Sequence, residues 1–330
     1  MSYTKVNGQI KKITSCFIDT NEGIKKLTRV ITKQGGKIIE NVISGYLPTL
    51  GDDKAGYGSG IIVFEGRGIL FTEPKAHSFR VPLGVSKVHM VAIGAGGSGG
   101  LGGAAGSGGG GGGLAAVNNV AITSEQVLTI NVGRGGQGYT SEFYGESGKE
   151  SNVAGYIKAF GGQGGLQSDA AGGTGGSGAA ENGLQESLIL VVGTGGQGGT
   201  SKGSSHDGSG GGGAAGYGGI GGKGGGVNTS GVAVNGSNGQ KGGGGGGGSA
   251  AESGVGGYGG GVSPFGLGMG GSGAINSATA AGTSGGAGSI NSSYSEYTFG
   301  GGSGGVDHPG SSLAAQDGAV LILWGEPLSL

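Results

Sequence analysis

The sequence predicts a mainly β protein. A small N-terminal β-hairpin repeat domain is followed by a glycine-rich β-framework that carries a packed polyglycine, or polyproline-II, helix bundle. Three observations predict this. Short β-branched and aliphatic runs end in glycine or turn residues, the pattern of strands. A turn-and-strand unit recurs near the N-terminus. Glycine supplies 95 of 330 residues, and 84 of those lie after residue 80.

Composition divides the chain near residue 80. Residues 1–80 hold 12 Lys and Arg against 7 Asp and Glu; residues 81–330 hold 7 against 13. Residues 1–44 read as an attachment domain of hairpins. Val6-Asn7-Gly8-Gln9-Ile10-Lys11-Lys12-Ile13 is echoed by Thr20-Asn21-Glu22-Gly23-Ile24-Lys25-Lys26-Leu27, and more loosely by Gln34-Gly35-Gly36-Lys37-Ile38-Ile39. Each copy is a turn signal followed by a short strand, at a period of roughly 13–15 residues. An ordinary β-meander is the plainer reading of the same residues. Residues 45–65, with Pro48, Gly51, Asp52, Asp53 and Gly56, read as a linker.

The region 66–330 repeats one grammar. Lys87-Val88-His89-Met90-Val91-Ala92-Ile93 exits into Gly94-Ala95-Gly96-Gly97. Val127-Leu128-Thr129-Ile130-Asn131-Val132 exits into Gly133-Arg134-Gly135-Gly136, and Leu188-Ile189-Leu190-Val191-Val192 into Gly193-Thr194-Gly195-Gly196. A last strand runs through Gly318-Ala319-Val320-Leu321-Ile322-Leu323-Trp324. His89 alternates with strand residues and is expected at a surface or rim.

Glycine is expensive to order. At about 1–2 kcal/mol per residue, the glycines of this region cost on the order of 100 kcal/mol, with no side chains to bury in return. Many runs read G-G-x, as in Gly218-Gly219-Ile220-Gly221-Gly222-Lys223-Gly224-Gly225. A polyproline-II backbone has three residues per turn and no internal hydrogen bonds, so its N–H and C=O groups point outward. With glycine at two positions in three, neighbouring backbones can close until they bond to one another, with Cα–H···O contacts added. The third position then faces solvent, which suits the Ser, Thr, Gln and Lys found there. Long loops on a β-core are the competing picture.

Several functions are excluded or unsupported. The 6 Pro are too few for collagen, and one Cys (Cys16) allows neither an internal disulfide framework nor a cysteine zinc site. A formal charge of −1 supplies no field toward nucleic acid. No apolar run reaches the roughly 20 residues of a membrane span, and no signal-peptide core stands at the start. Gly94-Ala95-Gly96-Gly97-Ser98-Gly99 fits a dinucleotide-binding pattern, but more glycine follows where a helix and an acid are needed. His77, His89, His206 and His308 show no metal-ligand spacing. The expectation is a protein that is not an enzyme and needs no cofactor or metal.

Two sets of residues carry a resemblance. The Asn-Gly-x-Ile-Lys-Lys-Ile repeats resemble modules in tail proteins of phages infecting Gram-positive bacteria. The opening Phe71…Pro74…Phe79…Pro82-x-Gly84-Val85, the strand exit Val91-Ala92-Ile93-Gly94-Ala95-Gly96-Gly97 and the end Gly318-Ala319-Val320-x-Ile322-x-Trp324 resemble the glycine-rich domain of phage tail fibres. The glycine runs are similar to the polyglycine sandwich of T-even-type tail-fibre-tip adhesins. The likeness covers residues 66–326; residues 1–44 depart from it. It implies a virion-tail adhesin whose loops between polyglycine helices contact a bacterial surface receptor, either an outer-surface protein or a polysaccharide. Residues 1–44 would dock on other tail or baseplate proteins, with a homotrimer as one arrangement, and without nucleic acid or membrane insertion. A structural tail or baseplate decoration is the alternative, and an ice-binding protein a remoter one.

Rigid aromatics among small polar residues are the composition of recognition loops. The receptor-binding candidates are therefore Tyr139, Phe143, Tyr144, His206, Asp207, Phe265, Tyr294, Tyr297 and Phe299. Each could instead plug a bundle end or pack on the β-framework.

Overall fold

In the computed structural model the described residues are the strands before residue 65, then 68–101, 105–138, 144–167, 171–181, 189–201, 207–227, 232, 234–241, 243–249, 256–265, 298–305 and 314–324. Three antiparallel hairpins come first: β1 (Tyr3–Val6) with β2 (Gln9–Lys12), β3 (Phe17–Thr20) with β4 (Gly23–Lys26), and β5 (Arg29–Gln34) with β6 (Lys37–Val42). Two residues separate the strands of each pair, and these are the Asn-Gly, Asn-Glu and Gly-Gly positions of the repeat.

The remaining strands are β7 (Ile61–Phe64), β8 (Gly68–Phe71), β9 (Ala76–Arg80), β10 (Lys87–Ile93), β11 (Ala105–Gly106), β12 (Leu114–Ala121) and β13 (Val127–Asn131). They continue with β14 (Ser151–Val153), β15 (Ile157–Ala159), β16 (Gly178–Ala180), β17 (Ile189–Gly193), β18 (Asp207–Gly208) and β19 (Ala319–Leu323). Among the described residues there is no helix. Strand β7 falls inside the stretch read as a linker; its run Ile61-Ile62-Val63-Phe64 pairs with β8 instead.

Two antiparallel sheets organise the region after residue 60. One has the order β17-β12-β10-β19-β8-β7, the other β16-β15-β14-β13-β9. The period-two alternation of strands sorts side chains between two cores. Ile69, Phe71, Met90, Ala92, Ala115, Val117, Val320 and Ile322 face the five-stranded sheet and meet Phe79, Leu128, Ile130, Val153 and Ile157. Leu70, Val91, Ile93, Leu114, Ala116, Ala319 and Leu321 face the other way and meet Ala214, Ala215, Tyr217, Val262 and Phe265. The six-stranded sheet is thus covered on both faces, which is why its strands read as unbroken apolar runs. Phe79 stacks on Trp324 with ring centroids 5.9 Å apart.

Past the strand ends the hydrogen-bond period changes from two to three. Strand β10 pairs with β12 as far as Ile93 and Leu114. Beyond them Gly94, Gly97 and Gly100 donate to the carbonyls of Gly113, Gly110 and Ser107. The residues between turn elsewhere: Ala95 and Ser98 donate to Lys149 and Glu146, and Gly96 to Gln316. Each segment therefore bonds to a different neighbour on successive residues and returns to the first on the fourth.

Segment 107–113 is bonded in this way to six others: 94–100, 160–166, 173–176, 195–199, 209–215 and 300–303. Segment 209–215 likewise has six neighbours, among them 219–225, 243–247 and 256–260. Hydrogen-bond lengths across these gaps run near 2.9 Å, as between Gly110 N and Gln163 O. A Cβ built at Gly108, Gly109, Gly110, Gly111 or Gly112 would come closer than 3.0 Å to a neighbouring backbone oxygen. Interior segments are accordingly unbroken runs of Gly, Ala and Ser. Peripheral ones read G-G-x with an exposed third residue, as at Gln163, Thr174 and Lys223.

His89 is not at a surface: only 2% of it is exposed. By strand alternation it shares the side of Val91 and Ile93, which is covered as well, and the irregularity in β12 brings Asn118 and Asn119 to its ring. There Nδ1 lies 2.7 Å from Asn118 Oδ1 and 3.2 Å from the Asn119 nitrogen. Burial lowers its pKa from the usual 6.5, against a smaller opposing effect of the Asn118 hydrogen bond.

Two outcomes follow. Gly111→Ala should lower the unfolding free energy by about 3 kcal/mol or more, because the new methyl meets rigid backbone on a fully surrounded segment. Lys223→Ala, on an exposed third position, should stay within about 0.5 kcal/mol; urea unfolding of both variants checks this. Neutral His89 is favoured in the fold, so below about pH 6.5 the unfolded chain binds the extra proton and stability rises with pH. Urea midpoints should fall between about pH 7 and pH 5.5, and His89→Gln should flatten that fall.

Candidate functional site

Seven strands run directly into glycine segments, at 93/94, 113/114, 150/151, 159/160, 177/178, 193/194 and 318/319, and β13 reaches Gly133 through Val132. All of these junctions lie at one level of the cross-bonded lattice, as the bonds Gly94 to Gly113, Gly113 to Phe160 and Gly195 to Gly176 establish. The opposite level holds Gly100, Ser107, Gly145, Gly165, Gly199, Ser209, Gly225, Gly256 and Gly305. This free end is where the chain passes from 138 to 144, 167 to 171, 201 to 207, 227 to 234, 249 to 256 and 305 to 314.

Buried serines close that end. Ser107, Ser209 and Ser249 stand where a segment stops, Ser98 and Ser303 stand two residues before the end of theirs, and each is 0% exposed. The Ser98 hydroxyl donates to Gly138 O at 2.7 Å and accepts from Glu146 N at 2.7 Å, so it ties both sides of the 139–143 connection to one point. Ser107 grips Leu166 through both its N–H (2.6 Å) and its carbonyl (2.8 Å). Ser249 holds Val234 in the same way at 3.1 and 3.0 Å. Ser209 donates to Thr200 O at 2.8 Å, and Ser303 accepts from Gly99 N at 3.0 Å. A hydroxyl is the one small side chain that fits beside glycine and still bonds a departing backbone. A serine at or within two residues of the end of a glycine run is the sequence signal for these positions.

The sequence-selected aromatics divide between the two ends. Tyr144 stands at the free end and is 42% exposed. Asp207 lies there too, its backbone paired in parallel with Ala105 through β11 and β18. Phe265 is only 3% exposed, packed beside Tyr217 under the six-stranded sheet. There the Tyr217 hydroxyl donates to Pro264 O at 2.5 Å. Phe299 is partly buried on the same core and bridges Val262. In this structure, then, Phe265 and Phe299 fill the sheet end. An apolar ring interrupting glycine has the same signature whether it fills a core or faces solvent, so the sequence could not separate them. Tyr139, Phe143, His206, Tyr294 and Tyr297 lie outside the described residues.

One exposed group escaped the sequence reading. Phe160 and Leu166 occupy third positions of the run Phe160-Gly161-Gly162-Gln163-Gly164-Gly165-Leu166, with 42% and 44% exposure. The signal was a large apolar residue at a G-G-x position, a feature shared with exposed Ile220 and Tyr258. Lys158 Nζ sits 5.7 Å over the Phe160 ring and within 3.7 Å of Glu150 and 3.6 Å of Glu181. Among the described residues no group of His, Cys, Asp and Glu gathers as a metal site.

Ser98→Ala removes the hydroxyl that Gly138 O and Glu146 N share, leaving them their direct 3.0 Å bond to each other, and should cost about 0.5–1.5 kcal/mol. It should also speed proteolytic cleavage within 139–143, read by limited digestion and mass spectrometry, while cleavage elsewhere is unchanged. No protein-family model matches the sequence, and no curated protein matches it.

Proposed function

We propose that the chain is a receptor-binding adhesin of a phage tail or phage-like bacteriocin. Its glycine segments form a packed polyglycine-II bundle, and the connections at the free end contact a bacterial surface receptor, an outer-surface protein or a polysaccharide. Residues 1–44 attach it to other tail or baseplate proteins, with a homotrimer as one mode of assembly, and its place is the virion tail.

One observation carries this reading. The strands enter the glycine segments at one level, together with the tight turns 216–219 and 240–243, and the connections after 138, 167, 201, 227, 249 and 305 leave them at the other. Each segment is held mainly by backbone-to-backbone bonds, so residues beyond the last serine can change without disturbing a core. That separation suits a surface that must track a changing target on a rigid support. The three-residue bonding period and the six-neighbour packing support the polyglycine-II assignment, because a backbone with three residues per turn directs successive N–H groups about 120° apart. The resemblance to tail-fibre glycine-rich domains supports the adhesin. Tyr144, exposed at the free end, and Asp207, whose backbone lies there, are the described members of the contact set.

Binding of fluorescently tagged full-length chain to a panel of intact bacteria tests the proposal. The expected result is strain-selective binding that weakens at least tenfold in a Tyr139→Ser, Phe143→Ser, Tyr144→Ser variant. Phe265 and Phe299 stay unchanged in that variant, since they pack in the fold. Folded chain that binds no strain would overturn the adhesin and leave a structural tail or baseplate decoration.

A further inference from the structure

Segments 144–150, 160–167 and 171–177 lie side by side. Gly145 and Gly148 donate to Gly165 and Gly162, while Phe160 and Gln163 donate to Ser177 and Thr174. All three continue strands of the five-stranded sheet, and all three rest on one underlying layer. Gly162 and Gly165 donate down to Ala95 and Ser98, Ser98 to Glu146, and Gly173 and Gly176 to Gly108 and Gly111. A Cβ at Gly162, Gly165 or Gly173 would come closer than 3.0 Å to neighbouring backbone, so these glycines can carry nothing. The outer surface of the row is therefore flat, relieved only by every third side chain.

Those side chains stand in three transverse lines. Tyr144 and Leu166 form the line nearest the free end, Ser147, Gln163 and Thr174 the middle one, and Phe160 and Ser177 the one nearest the sheet. At about 3.1 Å rise per residue, successive lines are roughly 9 Å apart. The ionised groups at the sheet edge of this face, Glu150 and Glu181, both lie against Lys158. The rest is hydroxyl, amide, aromatic and aliphatic.

We propose that this flat face is a second binding surface, for an extended uncharged glycan. Sugar rings offer flat C–H faces that pack on Tyr and Phe rings, and rims of hydroxyls that bond to amide and hydroxyl side chains. Repeating sugars along a chain meet a protein surface that itself repeats. The backbone beneath is fixed on every side, so little conformational entropy is lost on binding. Exposed Phe160 and Leu166 flanking an amide on one segment are the costly feature, and a glycan accounts for all three. A polyanion has no unpaired cation to find among these three lines. The proposal shares Tyr144 with the free-end contacts but rests on Phe160, Gln163 and Thr174, which are remote from the connections.

Affinity electrophoresis of the full-length chain through native gels containing dextran, mannan or an uncharged bacterial O-polysaccharide is the test. At least one of them should retard the chain. Phe160→Ser with Leu166→Ser should raise the apparent Kd at least tenfold at an unchanged thermal midpoint, and Gln163→Ala should weaken binding severalfold. Strain-selective cell binding through Tyr139 and Phe143 is read separately, so either proposal can fail alone. Folded chain unretarded by all three glycans, a double variant that binds like the parent, or retardation only by anionic alginate that vanishes in high salt would each overturn it.

Discussion

The structure depends on backbones approaching until amide meets carbonyl with nothing between them. A neutral hydrogen bond contributes about 0.5–1.5 kcal/mol net, against roughly 1–2 kcal/mol to order each residue, with glycine at the costly end. Cα–H···O contacts at the same spacing add about 0.5–1 kcal/mol each. The lattice is therefore near balance by itself and needs an anchor. The apolar cores on either face of the six-stranded sheet supply one, because strands already ordered there deliver their glycine continuations in register. Ile93 opposite Leu114 sets where Gly94 meets Gly113, and the three-residue ladder follows.

The junction between sheet and lattice is also a change of scale. Packed sheets stand about 10 Å apart because side chains fill the space between them. Past the strand ends the same two layers are linked directly, Gly162 N to Ala95 O at 2.9 Å and Gly165 N to Ser98 O at 2.8 Å. The layers must converge as side chains run out, which is why Gly94 stands at the exit of β10: a Cβ there would collide with the Phe160 carbonyl. Further segments on the other face of the six-stranded sheet end on Ala214, Ala215, Tyr217, Val262 and Phe265, so aromatic and small apolar residues seal the lattice where glycine cannot. At the opposite end serine does the sealing, bonding the backbone that leaves.

Much of the fold was legible in the amino-acid order. The strand runs at 87–93, 127–131, 189–193 and 319–323 stand where their apolar alternation put them, and the two-residue separations of the hairpins match the repeat. The G-G-x runs announced which residues could face outward, since only a third position free of neighbours tolerates Gln163, Thr174 or Lys223. Less was legible where one residue type serves two purposes. Phe265 and Phe160 both interrupt glycine, yet one is buried and the other is exposed on a flat face. His89 keeps its place in the alternation of its strand, but both faces of that sheet are covered, which a single strand cannot announce. The apolar run 61–64 sits among linker-like residues and only finds its role by pairing with β8.

Composition and local pattern alone determined that the chain is built of short strands and of backbone with too few side chains to form a conventional core, because strand alternation and glycine runs are local properties. Which segments become neighbours was decided only by tertiary structure. Segment 107–113 touches chain from residue 94 to residue 303, and one Gly-Gly step is chemically identical to another, so the runs hold no information about their partners. That information resides in the sheet order and in the few residues that break the glycine monotony: the serines that tie the free end and the aromatics that close the other.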